Sequence, residues 1–482
     1  MTTGTEDAVL PGYAGTRGLN MWDADADLRD AVLPRLTDRA AVARFKEFGG
    51  LVGGRLGALI ETAHRPENLP RLVEKNVGGT KSAAIEYCPE QVEARRILAR
   101  AVYGQGALPL IERMTLAALS NYAGEGGITC PLAMTEGLIG LLERRGTDAQ
   151  KALLPKLRSD DADWAITGGQ FVTERQGGSN VSANQTVAVR DAGGSWSLTG
   201  TKWFCSNPGE AWVTTAKVEG AETVGLFLML RRRADGALNG HTILRKKEIG
   251  GTRGKATVEV EYTGARAEMI GKPREGLAIL VDDILSVSRL HVAGAALGFA
   301  SRALLEAETF AAWRVAYGRK IGEIPSVKER LIRMRRERMG MLTAFFAGVA
   351  AVAADAPEAE ALVPMLKVEL SKRSSFLVRE AQLLIGGHGI LDDFSPLNRL
   401  ADDAVVNEIW EGTHPILCGH AAKALRRPRV LEAFTARAAD KALAAEVRSR
   451  VAASRALSED EKSLRDESLV GLAYDLASGN EV

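Results

Sequence analysis

The sequence predicts an α+β protein in which a helical domain, a β-rich domain and a helical bundle follow one another along the chain. Three observations carry that prediction. Apolar residues recur at helical spacing up to about residue 165, alternate with polar residues from 166 to about 280, and return to the helical period from 281 onward. With 482 residues, of which 46% are hydrophobic and 26% charged, the chain has material for two or three buried cores.

Residues 1–35 are rich in Gly, Asp and Pro and read as an irregular arm, with ordered helices starting near Asp38. From 36 to 165, Val42, Phe45 and Phe48, then Leu98, Val102, Leu108, Ile111, Met114 and Ala118, keep to one face at helical spacing. Gly49-Gly50, Gly78-Gly79 and Gly124-Glu125-Gly126-Gly127 punctuate them, so helix packed on helix is the expected arrangement. In the segment 166–280, Val187 and Val189 alternate with polar residues up to Asp191-Ala192-Gly193-Gly194, and Trp196 and Leu198 resume the alternation, which predicts a hairpin. Val224–Leu230 and Thr257–Tyr262 add strands, and a small barrel or sandwich follows. Long Ala- and Leu-rich stretches near 281–317, 323–353, 357–386 and 400–426 predict a four-helix bundle over 281–430. The tail, 431–482, is helical in pattern and carries seven basic and ten acidic side chains.

Sixty-two Lys and Arg against sixty-one Asp and Glu leave a net charge of +1, which supplies no general attraction for nucleic acid or a membrane surface. A basic knot, Lys423, Arg426, Arg427 and Arg429, reads as the positive end of a helix. No apolar run is long enough to span a bilayer, and the start, Met1-Thr-Thr-Gly-Thr-Glu-Asp, has neither a basic nor an apolar leader region, so a cytoplasmic protein is expected. Cys88, Cys130, Cys205 and Cys418 are too scattered for a metal site and read as reduced thiols, and the six histidines form no ligand motif; no metal is expected.

Several stretches carry chemistry. Phe171-Val172-Thr173-Glu174-Arg175-Gln176-Gly177-Gly178-Ser179 offers a hydroxyl, loop amides and glycines that let backbone approach a ligand closely. Lys202-Trp203-Phe204-Cys205-Ser206-Asn207 offers aromatic rings and a hydroxyl. Ser288-Arg289, Arg314-Val315-Ala316-Tyr317-Gly318, Leu383-Leu384-Ile385-Gly386-Gly387-His388-Gly389 and Trp410-Glu411-Gly412-Thr413 complete the set. From about 125 to 425 these stretches resemble the acyl-CoA dehydrogenase family: its V-T-E-x-x-x-G-S loop, its K-x-W-I-T-N strand, the Arg of its first bundle helix, its R-x-x-F-G and Q-x-x-G-G-x-G segments, and its Y-E-G-T catalytic segment. Phe204 stands where the family has Trp, Leu383 and the Pro325-Ser326 region where it has Gln, and Trp410 where it has Tyr.

The resemblance implies FAD as cofactor, contacted by Phe171, Val172, Thr173, Gly178, Ser179, Phe204, Cys205, Ser206, Arg314, Gly386, Gly387, Trp410 and Thr413. Phe204 would stack on the flavin, Ser206 would reach N5, and Arg314 would reach the diphosphate of a neighbouring subunit in a homotetramer. Some family members carry the catalytic Glu just before the Arg of the first bundle helix; Ser288 stands there, so Glu411 becomes the base, with Arg289 beside it. The implied reaction is α,β-dehydrogenation of a short or branched acyl-CoA thioester, with electrons passed to an electron transfer flavoprotein. Trp410, the loop at Gln176–Ser179, the segment Thr129–Thr135 and the long ends look most like the AidB branch, whose members show weak isovaleryl-CoA dehydrogenation and bind DNA. An AidB-like flavoprotein with a stress or DNA-associated role is thus the alternative, although this chain's acidic tail differs from that branch's basic one. A monooxygenase on the same fold is a third reading, against which Glu411 counts.

Overall fold

A computed structural model describes residues 10–479 except 76, 80, 105, 107, 162–164, 192–193 and 222. The chain runs through α1 (Met21–Ala24), α2 (Ala26–Val32), α3 (Ala40–Leu51), α4 (Gly57–Ala63), β1 (Arg71–Lys75), β2 (Lys81–Glu86), α5 (Pro89–Val102), α6 (Leu110–Ser120), α7 (Gly126–Arg145), α8 (Asp148–Lys151) and α9 (Leu154–Leu157). Seven strands follow: β3 (Gly168–Phe171), β4 (Val187–Arg190), β5 (Trp196–Ser206), β6 (Ala211–Val218), β7 (Thr223–Leu230), β8 (His241–Lys246) and β9 (Thr257–Ile270). The remainder is α10 (Gly276–Ile279), α11 (Ser286–Trp313), a two-stranded hairpin (Val315–Ala316 with Arg319–Lys320), α12 (Pro325–Ala353), α13 (Ala359–Ile385), α14 (Leu397–Ile409), α15 (His414–Leu425), α16 (Pro428–Ala436), α17 (Lys441–Ser454) and α18 (Glu459–Ser478).

These elements form two compact units. The first gathers the described residues of Met1–Ala58, Leu108–Gly126 and Arg289–Val482; the second gathers Leu59–Ala107 and Gly127–Ser288.

In the first unit, α13 packs on α12, α14 and α15, and the tail helix α18 packs on α12 and α15. Small residues let helices approach: a Cβ at Gly298 of α11 would meet the Ala118 carbonyl oxygen of α6 at 2.5 Å and Asn121 Cβ at 2.6 Å. The irregular arm expected over residues 1–35 holds two short helices instead. Asn20 Oδ1 caps α1 by accepting from the Trp22 and Asp23 amides, and Asp25 Oδ1 caps α2 by accepting from Leu28 N, so side-chain capping makes helices too short to show a period. The arm is then fixed by Arg338, fully buried on α12, which donates to Asp25, to Asp27 at 3.2 Å and to Ser301 Oγ at 3.0 Å. Residues 1–9 of the expected arm lie outside the described residues.

In the second unit, β6–β4–β5–β9–β7 close into a ring because β7 pairs back onto β6; β3 extends the open edge of β6 and β8 that of β9. The expected hairpin is present, with Arg190 opposite Trp196, although Ala192 and Gly193 at its turn lie outside the described residues. Closure buries Phe171, Trp212, Phe227, Val260 and Tyr262 inside the barrel, where Trp212 Nε1 donates to the Tyr262 hydroxyl at 2.9 Å. A second apolar cluster joins the outer barrel face at Val213, Leu226 and Leu228 to Leu138, Leu141 and Leu142 of α7. The helical reading of 36–165 is interrupted by the antiparallel pair β1–β2, in which Leu72 faces Ile85.

Replacing Gly298 with Ala should force α11 and α6 apart and lower stability by roughly 1–3 kcal/mol, as overpacking does. A thermal melt of the Gly298→Ala protein unchanged from that of the parent would refute the close-packing account.

Candidate functional site

The fourth bundle helix expected over 400–426 is two helices. Helix α14 stops at Trp410, whose amide still bonds to the Val406 carbonyl at 3.1 Å but whose ψ of 166° is extended. Glu411 then takes φ +57° and Gly412 φ +111°, and the chain restarts as α15 with Thr413 as N-cap and Pro415 in the first turn. Gly412 is required there, because a Cβ would lie 2.8 Å from Leu417 Cδ2. Glu411 is partly exposed, and the Thr413 side chain is exposed and makes no cap hydrogen bond.

A break of this kind strands the last carbonyls of a helix. Lys367 of α13, fully buried, answers one of them and one carbonyl of the bend beyond: its Nζ donates to the Glu408 carbonyl at 2.9 Å and to the Gly412 carbonyl at 2.7 Å. Burial pulls the Lys367 ammonium down to about 8, against the attraction of Glu411. One and two turns further along the same face, Ser371 Oγ donates to the Asn407 carbonyl at 3.2 Å and Ser375 Oγ to the Glu408 carboxylate. Arg289 of α11, also buried, donates Nε to the Glu411 carbonyl at 3.1 Å; burial lowers its pKa and Glu411 opposes the shift. Two cations thus grip the main chain at and on both sides of Glu411. Sequence reasoning placed Arg289 beside Glu411 but missed Lys367, Ser371 and Ser375, whose i, i+4, i+8 spacing is the signal that was available.

Elsewhere in this unit, Gly386 ends α13 at φ +75°, and neither it nor Gly387 has any heavy atom within 4 Å of where a Cβ would stand, leaving both backbones open to a ligand. Arg314 is exposed at the end of α11, immediately before the tight hairpin whose tip is Tyr317 (φ +52°) and Gly318 (φ +76°). The basic knot is engaged internally: Arg426 pairs with Asp466 at 2.5 Å, and Arg427 and Arg429 both pair with Glu360.

In the second unit, the loop after β3 is held by a buried ion pair. Glu174, 3% exposed, accepts from Lys202 Nζ at 2.7 Å, Thr186 Oγ1 at 2.6 Å and the Gln185 and Thr186 amides at 2.5 and 3.2 Å. Burial pushes its carboxyl up, but Lys202 and these donors together carry it down to about 2. With the loop fixed, the Trp203 amide bonds to the Thr173 carbonyl at 2.9 Å, and Thr173 and Gly178 come so close that a Cβ on the glycine would meet Thr173 Oγ1 at 2.6 Å.

Strand β5 then sorts the expected cofactor residues. Phe204 is 51% exposed and Ser206, two residues on, is partly exposed with its hydroxyl 3.0 Å from Thr257 Oγ1. Val172 and Thr173 are partly exposed and Ser179 is exposed. Phe171 and Cys205 depart from expectation: both are fully buried, Phe171 stacked on Trp212 with ring centres 5.0 Å apart, and their side chains fill the barrel core. Only their main chain is left to offer a ligand. Ser288, 3% exposed, accepts from Gln170 Nε2 at 2.9 Å, so the position of the alternative base is occupied by a small hydroxyl already in a hydrogen bond. An exposed ring, two accessible hydroxyls, and glycine backbone at Gly177, with nothing within 4 Å of a would-be Cβ, fit a planar cofactor with hydrogen-bonding edges such as FAD.

Among the described residues no three His, Cys, Asp or Glu side chains are grouped to hold a metal ion, and no helix is long and apolar enough to cross a membrane. The family model "Acyl-CoA dehydrogenase, middle domain" matches residues 169–265, and "Acyl-CoA dehydrogenase, C-terminal domain" matches 274–426. Acyl-CoA dehydrogenase family member 11 of Caenorhabditis elegans is 29% identical over 425 residues, covering 82% of this chain and 69% of that protein. AidB of Escherichia coli (strain K12) is 30% identical over 318 residues, which span 63% of this chain and 58% of AidB, less than two thirds of its length. The crystal structure of Caenorhabditis elegans ACDH-11 in complex with C11-CoA superposes with a TM-score of 0.87 at 24% identity, covering 99% of this chain and 89% of that one.

Because the folded-state pKa of Glu174 lies near 2, below its unfolded value of 4.5, its contribution is present above pH 4.5 and lost as pH falls toward 2. About 3 kcal/mol should disappear over that window at about 1.4 kcal/mol per pH unit. Lys202→Met, which strands the carboxylate, should cost about 3–5 kcal/mol at neutral pH and abolish that acid dependence, as read by denaturant melts across pH.

Proposed function

The chain belongs to the acyl-CoA dehydrogenase family of FAD-dependent oxidoreductases, and from that premise we propose that it dehydrogenates an acyl-CoA thioester between the α- and β-carbons with Glu411 as the base. The observation that carries the reading is the grip on the α14–α15 break. Arg289 and Lys367 bind the carbonyls of residues 408, 411 and 412, which fixes the backbone from which the Glu411 carboxylate projects. A general base works only within hydrogen-bond reach of its proton, so a base on an otherwise kinked, left-handed residue needs such a support.

An acyl thioester α-proton is too weakly acidic for a carboxylate acting alone, so the thioester carbonyl must be polarised as the proton leaves. Main-chain N–H groups of the bend are the proposed donors, and each such donor is worth roughly 3–4 kcal/mol. Glu411 takes the α-proton, and bound FAD supplies the acceptor for the hydride leaving the β-carbon, so the product is a trans-2-enoyl thioester. The proposed cofactor contacts are the side chains of Thr173, Ser179, Phe204 and Ser206 and the main chain of Val172 and Gly178. Gly386, Gly387, Trp410 and Thr413 are proposed as further contacts. Arg314, exposed beside a projecting hairpin, is proposed to reach the cofactor of a neighbouring copy in a homotetramer. We assign the electrons to an electron transfer flavoprotein. We propose a short or branched acyl class, in keeping with the sequence resemblance; the competing class is a longer chain, as in the C11-CoA bound by ACDH-11.

Anaerobic addition of isovaleryl-, isobutyryl-, butyryl-, octanoyl- and C11-CoA to the purified protein, watching the oxidised flavin band, separates these classes. Bleaching is expected with isovaleryl-CoA, and no bleaching with any of them would refute the dehydrogenase reading. Glu411→Gln should keep the flavin and slow bleaching by about 10²–10⁴-fold; undiminished bleaching would remove Glu411 from the mechanism. Lys367→Met should keep the flavin and slow the step by roughly 10²-fold through misplacement of the base. The parent should show an inflection near pH 8 as Lys367 loses its proton, and the variant should lack it.

A further inference from the structure

The second unit holds a half-open cavity of about 290 Å³ that involves none of the residues proposed to hold FAD or to act as base. Its walls come from α5, α7, the segment leading into β3, and the turn after β5. Ile128, Leu132, Leu157 and Ile166 make an apolar floor, and two arginines, Arg95 and Arg231, supply the polar side.

Both arginines are held in place yet incompletely used. The Arg95 guanidinium lies 4.1 Å over the Tyr87 ring and Nη1 donates to Asn207 Oδ1 at 3.4 Å, which sets its plane. Arg231 Nη2 donates to the Ala83 carbonyl at 2.6 Å. Arg95 Nε and Nη2 and Arg231 Nε are sealed from solvent and have no hydrogen-bond acceptor among the described residues. A buried donor without an acceptor costs on the order of 1–3 kcal/mol, and more when it is charged, so neither guanidinium bordering the cavity has its charge fully met by the residues around it.

The carboxylates in the lining do not fill that need. Glu210 Oε2 accepts from the Thr167 amide at 3.1 Å, and Asp160 lies 4.0 Å from Arg100 Nε. Burial lowers the Arg231 pKa, with Glu210 only partly opposing it, as expected of a cation short of negative partners. Guanidinium forks match the paired oxygens of a carboxylate or phosphate. Size and lining then choose between them. A volume just below the usual range of small-molecule sites, roughly 300–1,000 Å³, with an apolar floor, suits a small head with a hydrocarbon body.

We propose that this cavity binds a short-chain carboxylate, its carboxyl group on Arg95 and Arg231 and its hydrocarbon on the floor formed by Ile128, Leu132, Leu157 and Ile166. The site is independent of the dehydrogenase reading. Its test is a binding measurement on the full-length protein as purified, so failure of one leaves the other standing.

Butyrate, its uncharged isostere butyramide and inorganic phosphate are titrated against the thermal midpoint. Butyrate should raise the midpoint saturably, butyramide should not, and phosphate should bind more weakly than butyrate. Arg95→Gln and Arg231→Gln should each weaken butyrate about tenfold or more, the scale of one charge-assisted hydrogen bond. Hydrogen exchange on the unsubstituted protein locates the ligand even where a variant fails to fold: butyrate should slow amides of α5. Equal protection by butyramide, tighter binding of phosphate, protection that survives both substitutions, or no slowing within α5 would each overturn the proposal.

Discussion

Three main-chain carbonyls at the α14–α15 break need donors, and much of the first unit's chemistry depends on how they are met. A helix that stops beneath other helices leaves acceptors where water cannot serve them. Here the answer is a lysine from α13 and an arginine from α11, so the helices that surround the break also hold it open. Gly412 lets the chain pass Leu417 in a conformation closed to other residues, and Glu411 pays the steric cost of a left-handed φ. The strain sits on the residue proposed to do the chemistry, and the polar contacts that support it come from neighbouring helices.

The second unit meets a related demand with the opposite sign. Its loop after β3 contains main-chain amides that need an acceptor, and Glu174 gathers two of them, the Thr186 hydroxyl and the Lys202 ammonium onto one carboxylate. A loop pinned at its root can present Thr173, Gly178 and Ser179 in a fixed arrangement. Phe204 and Ser206 reach the surface because β5 alternates, and Cys205 between them goes inward by the same rule.

Much of this was legible in the chain. The order helical, β, helical follows from the period of the apolar residues, and the motifs around Arg289 and Glu411 point to two residues that the fold brings together. What escaped shares a physical reason: a single sequence does not say which way a residue faces. Lys367 in an Ala- and Leu-rich helix reads as solvent-exposed, because lysines usually are. Phe171 reads as a ligand contact from its motif and turns out to be core, since the motif fixes backbone and the barrel fixes side chains. Helices α1 and α2 are made by capping, which leaves no periodic trace, and the β1–β2 pair is too short to override the helical pattern around it. The stretch 400–426 reads as one helix because Trp410–Thr413 interrupts it without disturbing the apolar spacing on either side.

The first unit is assembled from three separated lengths of chain, and this bears on how it is made. Arg338 binds Asp27 across 311 residues and Thr16 binds Glu306 across 290. At about 5–20 residues per second, the arm waits about 15–60 seconds on the ribosome before Arg338 exists to receive it. Helix α2, which packs on α12 and has Leu28 and Val32 destined for full burial, spends that interval without this partner, whereas Trp22 of α1 already has Phe45 of α3 to pack on. Contacts so distant in sequence slow folding, so the segment around α2 is a natural client for a holding chaperone, and a chain cut short before α12 would leave it permanently in that state.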